Sequence, residues 1–248
     1  MKYLLLFVVF ISSYYSSAVI ANKEELKIAT YIDPPFVDLV DNELVGANIE
    51  IARLIASSVG LEPIFIRCPF VRCLTMVKRG QADMIFGLRK IPEREKELSF
   101  LNPPYLIQHY PLRFFVLSSN KIMINSFEDL KKLSIGTLRG GTYYELFDKS
   151  NSFTKVELTS RTQLVNMLLK GRIDTFIERE ESVLPILPLE DYQQKLTLAN
   201  YQYDNSVNSY IAISKNSNVN FYKELLSEQL QKLVTDGTIK SIRMKSYR

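Results

Sequence analysis

The 248 residues contain no tryptophan, one histidine and two cysteines. A lone His109 and two cysteines cannot complete a zinc site, so no metal centre is expected. Neither a Ser-His-Asp set nor a cofactor motif is recognisable, so no catalytic residue and no cofactor is expected. Lysine and arginine never gather into a block. The 31 basic and 27 acidic residues are intermixed, with a formal charge of +4, and this leaves no nucleic-acid footprint. Beyond residue 21 the apolar stretches are short and broken by charges, which argues against a transmembrane span.

The N-terminus has the order of a secretory signal peptide: Lys2, an apolar run from Tyr3 to Ile11, then small and polar residues ending in Val19-Ile20-Ala21. A membrane anchor is the alternative, but a span needs ~20 apolar residues. Cleavage after Ala21 would start the mature chain at Asn22. With no cysteine near that point, no lipid anchor is expected, and the expected compartment is a Gram-negative periplasm. Cys68 and Cys73 lie in Cys-Pro-Phe-Val-Arg-Cys. An exported chain meets oxidising conditions, which favour a Cys68–Cys73 bridge; two free buried thiols are the other reading.

Periodicity predicts strands at Leu26 to Tyr31, Glu62 to Arg67 and Asp83 to Gly87, with helices around Ile49 to Val59 and Phe70 to Arg79 between them. That βαβαβ order implies a parallel sheet with helices on its faces. Pro92, Pro103, Pro104 and Pro111 then interrupt the pattern, and Leu112 to Leu117 reads as an apolar strand passing from one lobe to another. A second unit follows: helix Phe127 to Leu133, strand Ser134 to Leu138, a glycine turn, helix Thr142 to Asp148, helix Leu164 to Lys170 and strand Asp174 to Ile177. Strand Ser209 to Ile213 precedes C-terminal helices within Asn220 to Met244. The expected fold is α/β, two lobes joined by hinge strands, with residues 22–112 and 207–248 in lobe 1 and 113–206 in lobe 2.

Several motifs occur in a telling order: Pro34-Pro35-Phe36, Gly46 with Glu50, Gly80-Gln81-Ala82-Asp83-Met84-Ile85-Phe86-Gly87, Pro92-Glu93-Arg94-Glu95-Lys96, Phe100 with Pro103-Pro104-Tyr105, Ile135-Gly136 with Gly140, Gly171-Arg172-Ile173-Asp174, and Asp236-Gly237-Thr238. In this order and spacing the chain resembles bacterial extracellular solute-binding proteins of family 3, the amino-acid-binding type with a type II periplasmic binding protein fold. The resemblance implies a periplasmic protein that closes on an amino acid or related carboxylate and presents it to an ABC-type permease. It also implies a set of ligand-binding positions, in a protein expected to be monomeric.

Arg94 matches the arginine that holds a ligand carboxylate in the family, a task suited to a guanidinium fork. Phe70 matches the aromatic ring that stacks on the ligand. Asp33 sits at the cleft edge, where it would receive an ammonium or cap its loop, and Phe36 beside it would either border the ligand or pack the lobe. Gly87 and Arg89 follow the third strand. Gly140-Gly141-Thr142 is expected to open a helix and offer amide hydrogens to an anion, with Thr142 adding a hydroxyl. The chain departs from the family at Arg89 and Ile91, where Thr or Ser is usual, and at Arg179, where the family places an aspartate for the ligand ammonium. Either Glu178 or Glu180 takes over that role, or the ligand is no ordinary α-amino acid. Arg89, Arg94, Arg139 and Arg179 together would favour a ligand with more than one negative group. Two rival functions share the scaffold: a dehydratase-like periplasmic enzyme using Glu178 or Glu180 as acid or base, and a ligand sensor serving a membrane receptor.

Overall fold

The computed structural model describes residues 24–204 and 206–246; the signal-peptide expectation lies outside them. The first unit runs β1 (Glu25–Thr30), the short hairpin β2 (Asp38–Val40) and β3 (Glu43–Val45), α1 (Ala47–Ser58), β4 (Glu62–Arg67), α2 (Phe70–Lys78), β5 (Met84–Leu88), α3 (Pro92–Glu95), β6 (Leu98–Phe100) and β7 (Leu106–Gln108). The second runs β8 (Leu112–Leu117), β9 (Ser134–Leu138), α4 (Glu145–Lys149), β10 (Thr154–Leu158), α5 (Arg161–Leu169), β11 (Thr175–Arg179), α6 (Glu180–Val183), α7 (Leu189–Lys195) and β12 (Leu196–Tyr203). The chain then returns through β13 (Val207–Ser214) to α8 (Lys223–Thr235) and α9 (Thr238–Ser246).

These strands form two principal sheets. The first has the order β4-β1-β5-β13-β6, with β7 also paired to β13; the second has the order β10-β9-β11-β8-β12. Strands β1, β4 and β5 are parallel, as are β9, β10 and β11, whereas β13 and β8 enter antiparallel. The chain passes between sheets after β7 and again after β12. Val207 pairs with Gln108 on one side of these crossings and Tyr203 with Leu112 on the other, so the two links run side by side as a double-stranded hinge.

Apolar periodicity explains the layers. In α1, Ala47, Ile51, Ala52, Ile55 and Ala56 are buried and join Leu26, Ile28 and Met84 from the sheet. Leu226, Leu230, Ile239 and Ile242 of α8 and α9 complete the same core, which fixes the C-terminus to the first sheet. The opposite face of that sheet buries Ala29, Ile85 and Leu88 against Cys73 and Val77 of α2. In the second unit, Phe115 and Phe176 stack at 4.7 Å between sheet and α5. Phe114, Tyr144, Phe147 and Tyr201 fill the other face.

Some elements differ from expectation. Phe127 to Leu133 contains only a 3₁₀ turn, Phe127–Leu130, because a capping box at Ser126 and Asp129 starts it and Lys132 then takes φ +70°. The helix expected from Thr142 starts at Glu145. The Tyr143 N–H donates to the Asp148 carboxylate at 3.0 Å and the Leu138 N–H donates to the Tyr143 hydroxyl at 2.8 Å, so side chains hold this segment outside the helix. Strands β10 and β12 and helix α7 were not anticipated. Among the described residues, no helix is long and apolar enough to cross a membrane.

Candidate functional site

The parallel strands of both sheets end toward the same gap, the position where ligands bind in open α/β sheets. Residues just past β1 (Tyr31 and Ile32), within and beyond β5 (Gly87 and Arg89), past β9 (Arg139, Gly141 and Thr142), past β10 (Thr159 to Arg161) and at the end of β11 (Glu178 and Arg179) surround a cavity of about 150 Å³. Phe70 at the start of α2 and Arg94 on α3 close its wall on the side of the first sheet.

Arg94 is 6% exposed. Its guanidinium donates to the Arg89 carbonyl at 3.1 Å and across the gap to the Gly140 carbonyl at 3.4 Å, and it makes no ion pair with a carboxylate among the described residues. Burial draws its pKa below the usual arginine value, yet a guanidinium stays charged near neutrality. Phe70 lies beneath it with the ring centroid 6.0 Å away, and Tyr31 meets Phe70 edge-on at 4.9 Å. Gly87 at φ +80° lets the strand pass Tyr31, since a Cβ there would lie 2.5 Å from the phenol oxygen. The Cys68–Cys73 bridge is formed, with Cα atoms 5.4 Å apart, and brackets Phe70 at the head of α2.

The glycine turn works differently from expectation. Gly140 adopts φ +72° in a turn closed by the Gly141 N–H donating to the Leu138 carbonyl at 2.9 Å. No helix begins at Thr142. The carbonyl groups of Thr142 and Tyr143 instead accept hydrogen bonds from Arg89, the former at 3.1 Å. The loop therefore presents carbonyl oxygens of Gly140, Thr142 and Tyr143 to guanidinium groups from the other unit.

Of the two readings for Phe36, the structure takes lobe packing, so its place among the ligand-binding residues is corrected. It is 4% exposed, packs in the first core with Ala47 and Leu101, and does not line the cavity. Asp33 is buried at the cleft edge and pairs with Arg161 from the opposite unit. Arg161 Nε lies 3.2 Å from Glu178 Oε1, so this guanidinium sits between one carboxylate from each unit. Arg179 also lines the cavity, with the Glu181 and Glu178 carboxylates attracting it. Glu180 accepts a hydrogen bond from the Tyr192 hydroxyl at 2.7 Å and lies outside this cavity wall. Arg139 reaches Glu157 at 3.5 Å.

Arg161, Tyr31 and Tyr143 were missed as cleft residues. The alternation of Thr154–Leu158 carried the needed signal: recognising β10 would have put Thr159, Ser160 and Arg161 at a strand's carboxyl end.

This architecture matches the description "Bacterial extracellular solute-binding proteins, family 3" over residues 26–247. The chain belongs to that family. Among curated relatives of this family-3 chain, the arginine-binding extracellular protein ArtP of Bacillus subtilis (strain 168) is 24% identical, matching 63% of this chain and 60% of its own length. The ABC transporter arginine-binding protein 1 of Escherichia coli (strain K12) is 30% identical, matching 59% of this chain and 58% of its own. The chain thus spans about three fifths of each of these relatives. An ancestral arginine-binding protein bound to arginine superposes with a TM-score of 0.77 at 23% identity, covering 91% of this chain and 99% of the other, which shows the shared fold.

Proposed function

We propose that this family-3 protein captures a small carboxylate-bearing solute, an amino acid or a related acid, by closing its two lobes on it, and that it acts by binding and not by catalysis. The supporting observation is Arg94: a buried guanidinium in the gap between lobes, hydrogen bonded to carbonyl oxygens and placed over an aromatic ring. A carboxylate entering beside it would gain a charge-assisted, forked hydrogen bond. Phe70 would cover one face of the ligand, and the Gly140 turn and Arg89 would complete the grip as the lobes meet. The names of the arginine-binding relatives support a solute of the amino-acid size class.

In this reading, residues 22–112 and 207–248 form lobe 1 and residues 113–206 form lobe 2. Closure depends on the ligand's preference for the closed form. The leader, ending at Ala21, directs the chain to a periplasm, where the Cys68–Cys73 bridge is chemically at home. The loaded protein, a monomer, then delivers its solute to an ABC-type permease.

The test is ligand-induced thermal stabilisation, screened first with co-purifying solute identified by native mass spectrometry. Arg94→Ala should keep the apo fold and lose the ligand response, with affinity down by about a hundredfold or more, since removing one partner of a buried charged pair costs about 3–5 kcal/mol. An unchanged response in Arg94→Ala removes this residue from the binding reading.

A further inference from the structure

The cavity wall carries Arg89, Arg94, Arg139, Arg161 and Arg179 against a single acidic side chain among the described residues, Glu178. Asp33 stands just behind that wall. These two carboxylates are the groups best placed to receive a ligand ammonium, and Arg161 occupies both: it pairs with Asp33 from lobe 1 and with Glu178 at 3.2 Å from lobe 2. By contrast, Arg89 and Arg94 are hydrogen bonded to backbone carbonyl oxygens and make no ion pair among the described residues. Carbonyl oxygens orient a guanidinium without neutralising its charge. The Ser182 hydroxyl, 1% exposed and lining the same cavity, has no hydrogen-bond partner among the described residues, so a donor remains for a second anionic group.

We propose that the cleft selects a small dianion without an ammonium group, one carboxylate meeting Arg94 and a second anionic group meeting the arginines of the opposite wall, and that Arg161 is the residue that turns amino acids away. An ammonium entering this cavity meets no carboxylate that is not already held by a guanidinium. It would have to displace Arg161 or lie against it. Dicarboxylates and carboxylates bearing a phosphate or sulfonate share the required chemistry. This inference rests on the solute-binding reading and narrows its ligand class.

Matched pairs differing only in the amino group decide it: succinate against L-aspartate and glutarate against L-glutamate, titrated calorimetrically on the full mature chain, with 3-phosphoglycerate and sulfoacetate distinguishing the second anionic group. The expected result is that a deaminated member binds at least tenfold tighter than its amino counterpart. In Arg161→Gln, which releases Asp33 and Glu178, the ratio should shrink or invert through gained amino-acid affinity. A wild-type protein that prefers L-aspartate, L-glutamate or another amino acid overturns the dianion class and leaves solute binding standing. An unaltered ratio in Arg161→Gln, or in Arg161→Met if the former does not fold, removes the selecting role from Arg161. No binding to any of these anions or to the twenty standard amino acids overturns both readings.

Discussion

Gly87 combines two constraints at one backbone position. Its φ of +80° lies in the left-handed region, and an added Cβ would fall 2.5 Å from the Tyr31 hydroxyl. Tyr31 in turn meets Phe70, so the glycine governs where the aromatic floor of the cleft sits. Gly87→Ala is expected to lower stability by about 1–2 kcal/mol from backbone strain, with additional displacement of Tyr31. Urea denaturation should register the first effect and titration calorimetry a weaker ligand affinity. Arg161 belongs to the same scale: its importance comes from two carboxylates that it joins across the gap, not from its neighbours in sequence.

At the level of elements, the disulfide ring and α2 act together. Cys73 is fully buried within the helix while Cys68 precedes it, and Phe70 lies between them. Closing so small a ring restricts the unfolded chain, a contribution of about 2 kcal/mol by loop-closure entropy. The paired substitution Cys68→Ser with Cys73→Ser should lower stability by about that amount and also weaken ligand binding by loosening Phe70; reduction of the native protein should reproduce both effects. The strand-helix rhythm that places α2 was legible because its apolar positions repeat regularly. The segment after Gly141 was not, because its threonine and following acidic residues resemble a helix start, whereas Tyr143 and Asp148 use side-chain contacts to delay the helix until Glu145.

Across the whole molecule, the two lobes meet at the Gly140 turn and at the Asp33–Arg161 pair. Gly140 is one tight point: a Cβ there would lie 3.0 Å from Val71 Cγ2 and 3.5 Å from the Phe70 ring, at φ +72°. Gly140→Val should prop the lobes apart while preserving the core of each. Small-angle scattering is expected to show ligand-induced compaction in the native protein and its loss in this variant, with affinity reduced by about tenfold or more, equivalent to about 1.4 kcal/mol. The hinge itself, where Gln108 pairs with Val207 and Leu112 with Tyr203, suits such motion: among the described residues the chain crosses between the sheets twice.

Local periodicity and motif order determined the α/β class, most elements of the first lobe, the proximity of the two cysteines and the family. These are properties of residues near one another in the chain, where turn chemistry and apolar spacing act directly. The tertiary structure alone decided that Phe36 belongs to a core, that the Gly140 loop offers carbonyl oxygens, and that Arg161 lies between Asp33 and Glu178. Asp33 and Arg161 are 128 positions apart. No periodicity couples such residues; only the packing of two sheets with their carboxyl edges face to face brings their charges together.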